Sequence, residues 1–217
     1  MTATRPAPSP ATNWGPAALE QLREARRRHQ EAVAPQRAKW IHGNRYFYGR
    51  LKRLLQFIIE PGTRVLELRC ETGQFLASVK PSYGVGVEIS DAMVAVAREE
   101  NPRLHFVKSD PEELDLGETF DYVIFNHIFD TVDILGAFEH IRRHCSADTL
   151  LVVINYNQFW QPLLQFASKM GLRSQFVEPN WVSENDIRGF PGWRASASSA
   201  CTGSCSFPSG YRWFPHL

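Results

Sequence analysis

Three acidic residues close apolar runs in this chain: Glu67 in Val65-Leu66-Glu67, Glu88 in Val85-Gly86-Val87-Glu88, and Asp110 in Phe106-Val107-Lys108-Ser109-Asp110. A carboxylate where an apolar strand ends can accept both hydroxyls of a ribose. After the first of these runs, Leu68-Arg69-Cys70-Glu71-Thr72-Gly73 reads as a tight turn into a helix, whose unpaired N–H groups face a bound ligand. His127 follows a fourth apolar run, Phe120 to Asn126. An imidazole there can take a proton from a hydroxyl or an amine. Each residue also has a plain structural alternative. Glu88 can cap a helix, Asp110 before Pro111 can open a turn, and His127 can make a local hydrogen bond.

The elements that must position these groups alternate. Strands are expected at Arg64 to Leu68, Gly84 to Ile89, Leu104 to Lys108, Phe120 to Asn126 and Thr149 to Asn155. Helical segments fall between and after them, near Gly73 to Val79, Asp91 to Glu99, Ile134 to His144 and Gln161 to Lys169. Such alternation argues for a parallel sheet covered on both faces. Ser90 and Asp133 stand where helix caps are expected. Two helices precede the sheet, at about Ala17 to Ala34 and Asn44 to Ile59, the second ended by Pro61-Gly62. The arginine cluster of the first, Arg23, Arg26, Arg27 and Arg28, reads as a solvated face, with phosphate or an acidic partner as the lesser alternative.

The run Val65-Leu66-Glu67-Leu68-Arg69-Cys70-Glu71-Thr72-Gly73, with Glu88, Asp110 and the strand Phe120 to Asn126, resembles the class I S-adenosylmethionine-dependent methyltransferases. Trp40, Tyr46-Phe47-Tyr48, Ile154-Asn155-Tyr156-Asn157 and Asn180 to Ile187 resemble bacterial methyltransferase domains found alone or beside glycosyltransferases. The resemblance implies a Rossmann-like three-layer sandwich, mostly parallel in the order 3-2-1-4-5 and truncated at its C-terminus. It implies S-adenosyl-L-methionine as cofactor, held by Glu67, Arg69, Glu71, Gly73, Glu88, Ile89, Asp110, Pro111 and Asn126. Within that set Glu88 serves the ribose and Asp110 the adenine amino group. It places Tyr46, Tyr48 and Tyr156 near a small-molecule or carbohydrate-pathway acceptor, with His127 as base.

The chain departs from the family at Arg69 and Glu71, which stand where the first two motif glycines belong. A non-glycine residue held in a left-handed conformation costs about 1–2 kcal/mol. A carboxylate about 5 Å from the cofactor's own repels it by roughly 3 kcal/mol at an effective dielectric near 20. Weakened cofactor binding is therefore expected, unless Arg69 neutralises Glu71 or itself holds the ligand carboxylate. The alternative reading is a binding protein that keeps the fold without catalysis. A nicotinamide-dependent oxidoreductase fits less well, because its fingerprint needs glycines of which only Gly73 is present.

A chain of 217 residues, 43% hydrophobic and 22% charged, fits one globular domain. A net charge of +1 creates no field demanding nucleic acid. No apolar run reaches the eighteen or so residues of a membrane span, and Met1 to Pro16 lacks a secretory signal, so a cytoplasmic protein is expected. The division read from composition is a disordered leader at 1–16, a helical cap at 17–60, the methyltransferase-like domain at 61–190, and a disordered or aberrant tail at 191–217. That Ser-, Ala- and Gly-rich tail does not resemble the family and reads as an out-of-frame extension, leaving the fifth strand an apolar edge open to homodimerisation. Cys201 and Cys205 alone do not make a metal site, and none is expected.

Overall fold

The apolar runs of this sequence become the strands of a single sheet in a computed structural model that describes residues 16–128, 131–154 and 211–213. Two helices come first, α1 at Pro16–Gly43 and α2 at Arg45–Ile58. The alternating part follows: β1 Arg64–Leu68, α3 Gln74–Ser78, β2 Tyr83–Glu88, α4 Asp91–Glu100, β3 His105–Lys108, β4 Phe120–Asn126, α5 Ile134–Arg142 and β5 Cys145–Ile154. A short strand, β6, spans Tyr211–Trp213. The order across the sheet is β3-β2-β1-β4-β5-β6. The expected order 3-2-1-4-5 is thus present, and all five pairings in the sheet are parallel.

Residue alternation along the strands sorts the core into two layers. Val65, Tyr122, Ile124 and Val152 pack with Leu51, Leu55 and Ile58 of α2, Phe75 and Leu76 of α3, and Val94 and Ala97 of α4. Leu66, Leu68, Val87, Val123 and Phe125 face the other way, onto Ala137, Phe138 and Ile141 of α5. The caps of α4 and α5 fall where the sequence signals them. Ser90 accepts a hydrogen bond from the Met93 N–H, and Asp133 from the Gly136 N–H.

Three expectations are corrected. The first helix does not stop before Pro35 but runs on to Gly43, with the proline inside it. A proline removes one internal hydrogen bond, and the contacts α1 makes on both sides of that break hold the helix in one piece. The fifth strand starts at Cys145 rather than near Thr149, with a register irregularity between Phe120 and Tyr122. Its outer edge is not open over Leu151–Val153, since β6 pairs there, Leu151 opposite Tyr211 and Val153 opposite Trp213. An unpaired apolar edge offers a row of free N–H and C=O groups, and three residues of the tail take them up. The rest of 191–217, the leader at 1–15, the segment Gln161 to Lys169, Tyr156, Cys201 and Cys205 lie outside the described residues.

Candidate functional site

The loop after β1 keeps the backbone that glycines would give it. Arg69, Glu71 and Gly73 all have positive φ, at 56°, 51° and 72°. At Gly73 a side chain is excluded twice, because a Cβ there would lie 2.6 Å from the Phe106 ring in addition to the left-handed strain. Short ties hold the loop in this shape. The Cys70 N–H donates to the Val87 carbonyl at 3.0 Å, the Gly73 N–H to the Cys70 carbonyl at 2.8 Å, and Asn101 Nδ2 to the Thr72 carbonyl at 2.9 Å.

Glu67, at the end of β1, is fully buried and accepts the Leu76 N–H of α3 at 2.9 Å through Oε2, while its Oε1 has no hydrogen-bond partner. Burial pushes its carboxyl well above the usual range, with the negative neighbours Glu71 and Glu88 adding to the rise. Glu88, at the end of β2, accepts three backbone N–H groups: Glu71 at 3.0 Å, Ile89 at 2.9 Å and Ser90 at 3.2 Å. Burial raises its carboxyl too, and the Arg69 charge opposes that rise. Asp110, after β3, accepts the Glu112 N–H at 3.0 Å. Burial raises it, with that N–H and the charges of Arg69 and Arg23 pulling down. Arg69, only 4% exposed, therefore presents its charge to the acids that end two strands.

Glu71 gathers a second cluster. Arg37 of α1 donates to its carboxylate, with Nε to Oε2 at 2.9 Å, and His127 Nε2 lies 3.2 Å from Oε1. Burial works against the charged form, yet Arg37 and then His127 hold this carboxyl down at about 2. Arg37 also donates to the Tyr48 hydroxyl at 3.0 Å, and the Tyr48 ring stacks on Phe75 at 5.7 Å. His127 sits at φ 51°, directly after β4. Before it, Asn126 is 2% exposed and its Nδ2 has no hydrogen-bond partner. Ile89 and Pro111 are buried beside their acids.

The ends of β1 to β4 thus bring together Glu67, Arg69, Glu71, Gly73, Glu88, Ile89, Asp110, Pro111, Asn126 and His127, with Tyr48 joining from α2. Tyr46 does not join them, being 74% exposed. Sequence reasoning missed Arg37, Glu31 and Glu112. Glu112 is buried, accepts the Val132 and Asp133 N–H groups at 2.6 and 2.9 Å, and pairs with Arg23. Glu31 accepts the Asp91 and Ala92 N–H groups at the start of α4, at 2.7 and 3.2 Å. The arginine cluster of α1 is consequently split. Arg23 and Arg26 turn inward, with Arg26 4% exposed, and Arg27 and Arg28 pair with Glu24 on the outer face. Helical spacing separates positions 23 and 26 from 27 and 28 weakly, and the long-range pairing of Arg23 with Glu112 has no signal in that spacing.

A family model described as a methyltransferase domain matches residues 65–148, the span from β1 into β5. This segment is a class I methyltransferase domain. Two curated relatives share part of it. The malonyl-[acyl-carrier protein] O-methyltransferase of Bacillus anthracis is 30% identical over 102 residues, 44% of this chain and 38% of that protein. The dTDP-3-amino-3,6-dideoxy-alpha-D-glucopyranose N,N-dimethyltransferase of Streptomyces fradiae is 29% identical over 105 residues, 45% of this chain and 40% of that protein. The chain matches about two fifths of the length of each. Among solved structures, a SAM-dependent methyltransferase from Thermotoga maritima superposes with a TM-score of 0.63 at 19% identity, over 75% of this chain and 76% of that one. The DhpI-SAM-HEP complex superposes with a TM-score of 0.53 at 17% identity, over 73% of each chain. Both show the methyltransferase fold. Among the described residues no helix is long and apolar enough to cross a membrane.

Proposed function

We propose that the chain is an S-adenosylmethionine-dependent methyltransferase for a small-molecule or carbohydrate-pathway acceptor, with its cofactor cleft narrowed by its own Arg69. The observation that supports this most is the left-handed backbone at Arg69, Glu71 and Gly73, set between carboxylates at the ends of β1, β2 and β3. The main-chain path fits the cofactor of this class, and so does the unpaired amide of Asn126 at the end of β4. When bound, S-adenosylmethionine would supply an activated methyl group. Glu88 is positioned for the ribose hydroxyls, Asp110 with Pro111 for the adenine edge, Ile89 for the ring face, and Gly73 and Asn126 for the amino-acid end. Tyr48 lines the acceptor side, and His127 takes the proton that the acceptor loses. Tyr156 and Tyr46 remain proposals for that side, the first outside the described residues. A cytoplasmic location and pairing with a second copy belong to the same reading.

A second reading, a methyltransferase-fold binding protein without catalysis, is favoured by one observation. The carboxylate of Glu88 is already engaged by three N–H groups and lies under the charge of Arg69. Calorimetry with S-adenosylmethionine and with S-adenosylhomocysteine separates the two. Saturable binding of either supports the enzyme, and no heat with either up to millimolar concentration supports the binding protein. The match to methyltransferases leaves the nicotinamide-dependent alternative without support.

A further inference from the structure

The geometry points to Glu71 as a positioning residue that orients His127 and clasps α1 over the cleft, a role that goes beyond the proposed activity. Glu71 occupies a glycine position, yet its side chain is 7% exposed and meets two groups from distant parts of the chain, Arg37 and His127. A damaged loop has no reason to collect partners from both sides of the site.

The first consequence concerns the imidazole. Glu71 is ionised throughout the working range, so its oxygens only accept. His127 Nε2, 3.2 Å from Oε1, must therefore be the donor. A neutral imidazole held this way keeps its proton on Nε2 and places its lone pair on Nδ1.

The second consequence concerns α1. Three side chains along this helix reach three successive loops of the sheet. Arg23 pairs with Glu112 after β3, Glu31 caps α4 after β2, and Arg37 pairs with Glu71 after β1. The order along the helix follows the order of strands across the sheet. The helix thus lies over the three loops that form the cleft, and of these three ties the Arg37–Glu71 pair is the one nearest α2.

The test needs no substrate. Imidazole 15N shifts of His127 at pH 8.5 report the tautomer, and hydrogen exchange reports α1. Wild type should show the Nε2–H form. Glu71→Gln and Glu71→Gly should each reduce the preference for that form at least about fivefold and speed exchange of amides 36–43 about tenfold. Arg37→Gln should speed the same amides and leave the tautomer unchanged. Glu71→Gly guards against failure to fold, since glycine suits φ 51° better than glutamate does. An Nδ1–H tautomer in wild type, or a tautomer and an exchange pattern unaltered in both Glu71 variants, overturns the inference. Calorimetry with S-adenosylhomocysteine on the same proteins bears on the proposed function alone, so either conclusion can fall without the other.

Discussion

Arg37 near the C-terminal end of a long helix and Glu71 in a loop 34 residues later share a buried ion pair, in which the guanidinium binds the carboxylate through Nε at 2.9 Å. Because Glu71 is held at about 2 when folded and near 4.5 in an unfolded chain, its sign is that of a depressed acid. The stability it contributes is present above pH 4.5 and lost as pH falls toward 2, in total roughly 3 kcal/mol. Urea unfolding of wild type and Glu71→Gln should differ fully above about pH 5 and converge only as pH falls toward 2. A difference independent of pH speaks against the pair.

Glu67 has the opposite sign. Its carboxyl is raised by burial, so the folded state favours the protonated form, and stability is lost as pH rises through that raised value. Glu67→Gln keeps an acceptor for the Leu76 N–H and carries no charge to bury. The variant should gain on wild type in chemical denaturation as pH rises above the ordinary carboxylate range. Parallel curves for the two proteins exclude a buried charge at this position.

Arg69→Gly should strengthen S-adenosylmethionine binding by about tenfold, or 1.4 kcal/mol. The change removes the charge shared by Glu88 and Asp110 and relaxes a residue at φ 56°. Calorimetry decides it, and weaker binding in the variant shows instead that Arg69 is a ligand for the cofactor.

Gly73→Ala should destabilise the fold by about 2–4 kcal/mol, adding left-handed strain to the overpacking of a Cβ placed 2.6 Å from Phe106. Gly117→Ala, at φ 67° with nothing within 4 Å of the new carbon, carries the strain alone and should lose only about 1–2 kcal/mol. Equal losses in thermal or urea unfolding refute the role given to Phe106.

The sheet was legible because its signals are local. Val65 to Leu68 and Phe120 to Asn126 are mainly apolar strands, and Ser90 and Asp133 cap α4 and α5. The acids at the strand ends were legible for the same reason. The site's cross-links were not. Arg37 to Glu71, Arg23 to Glu112 and Glu31 to the start of α4 join residues 34, 89 and 60 positions apart, and no periodicity encodes such pairs. The stretch of α1 beyond Ala34 was not legible either, since Pro35 locally disfavours a continuing helix and tertiary contacts override it. The left-handed backbone at Arg69 and Glu71 was legible only through the motif glycines whose places they take, and the ties around Cys70 and Thr72 impose it on them.

The loop after β1 also says something about how such domains diverge. Of its three left-handed positions, two are occupied by bulky charged residues, and only the third is walled in by a neighbouring ring. Steric necessity is therefore concentrated at Gly73, while the two earlier positions are free to drift at a modest energetic cost. Searches keyed to a string of glycines will pass over descendants of this kind. A signature built on acid spacing and on one obligatory glycine would retrieve them.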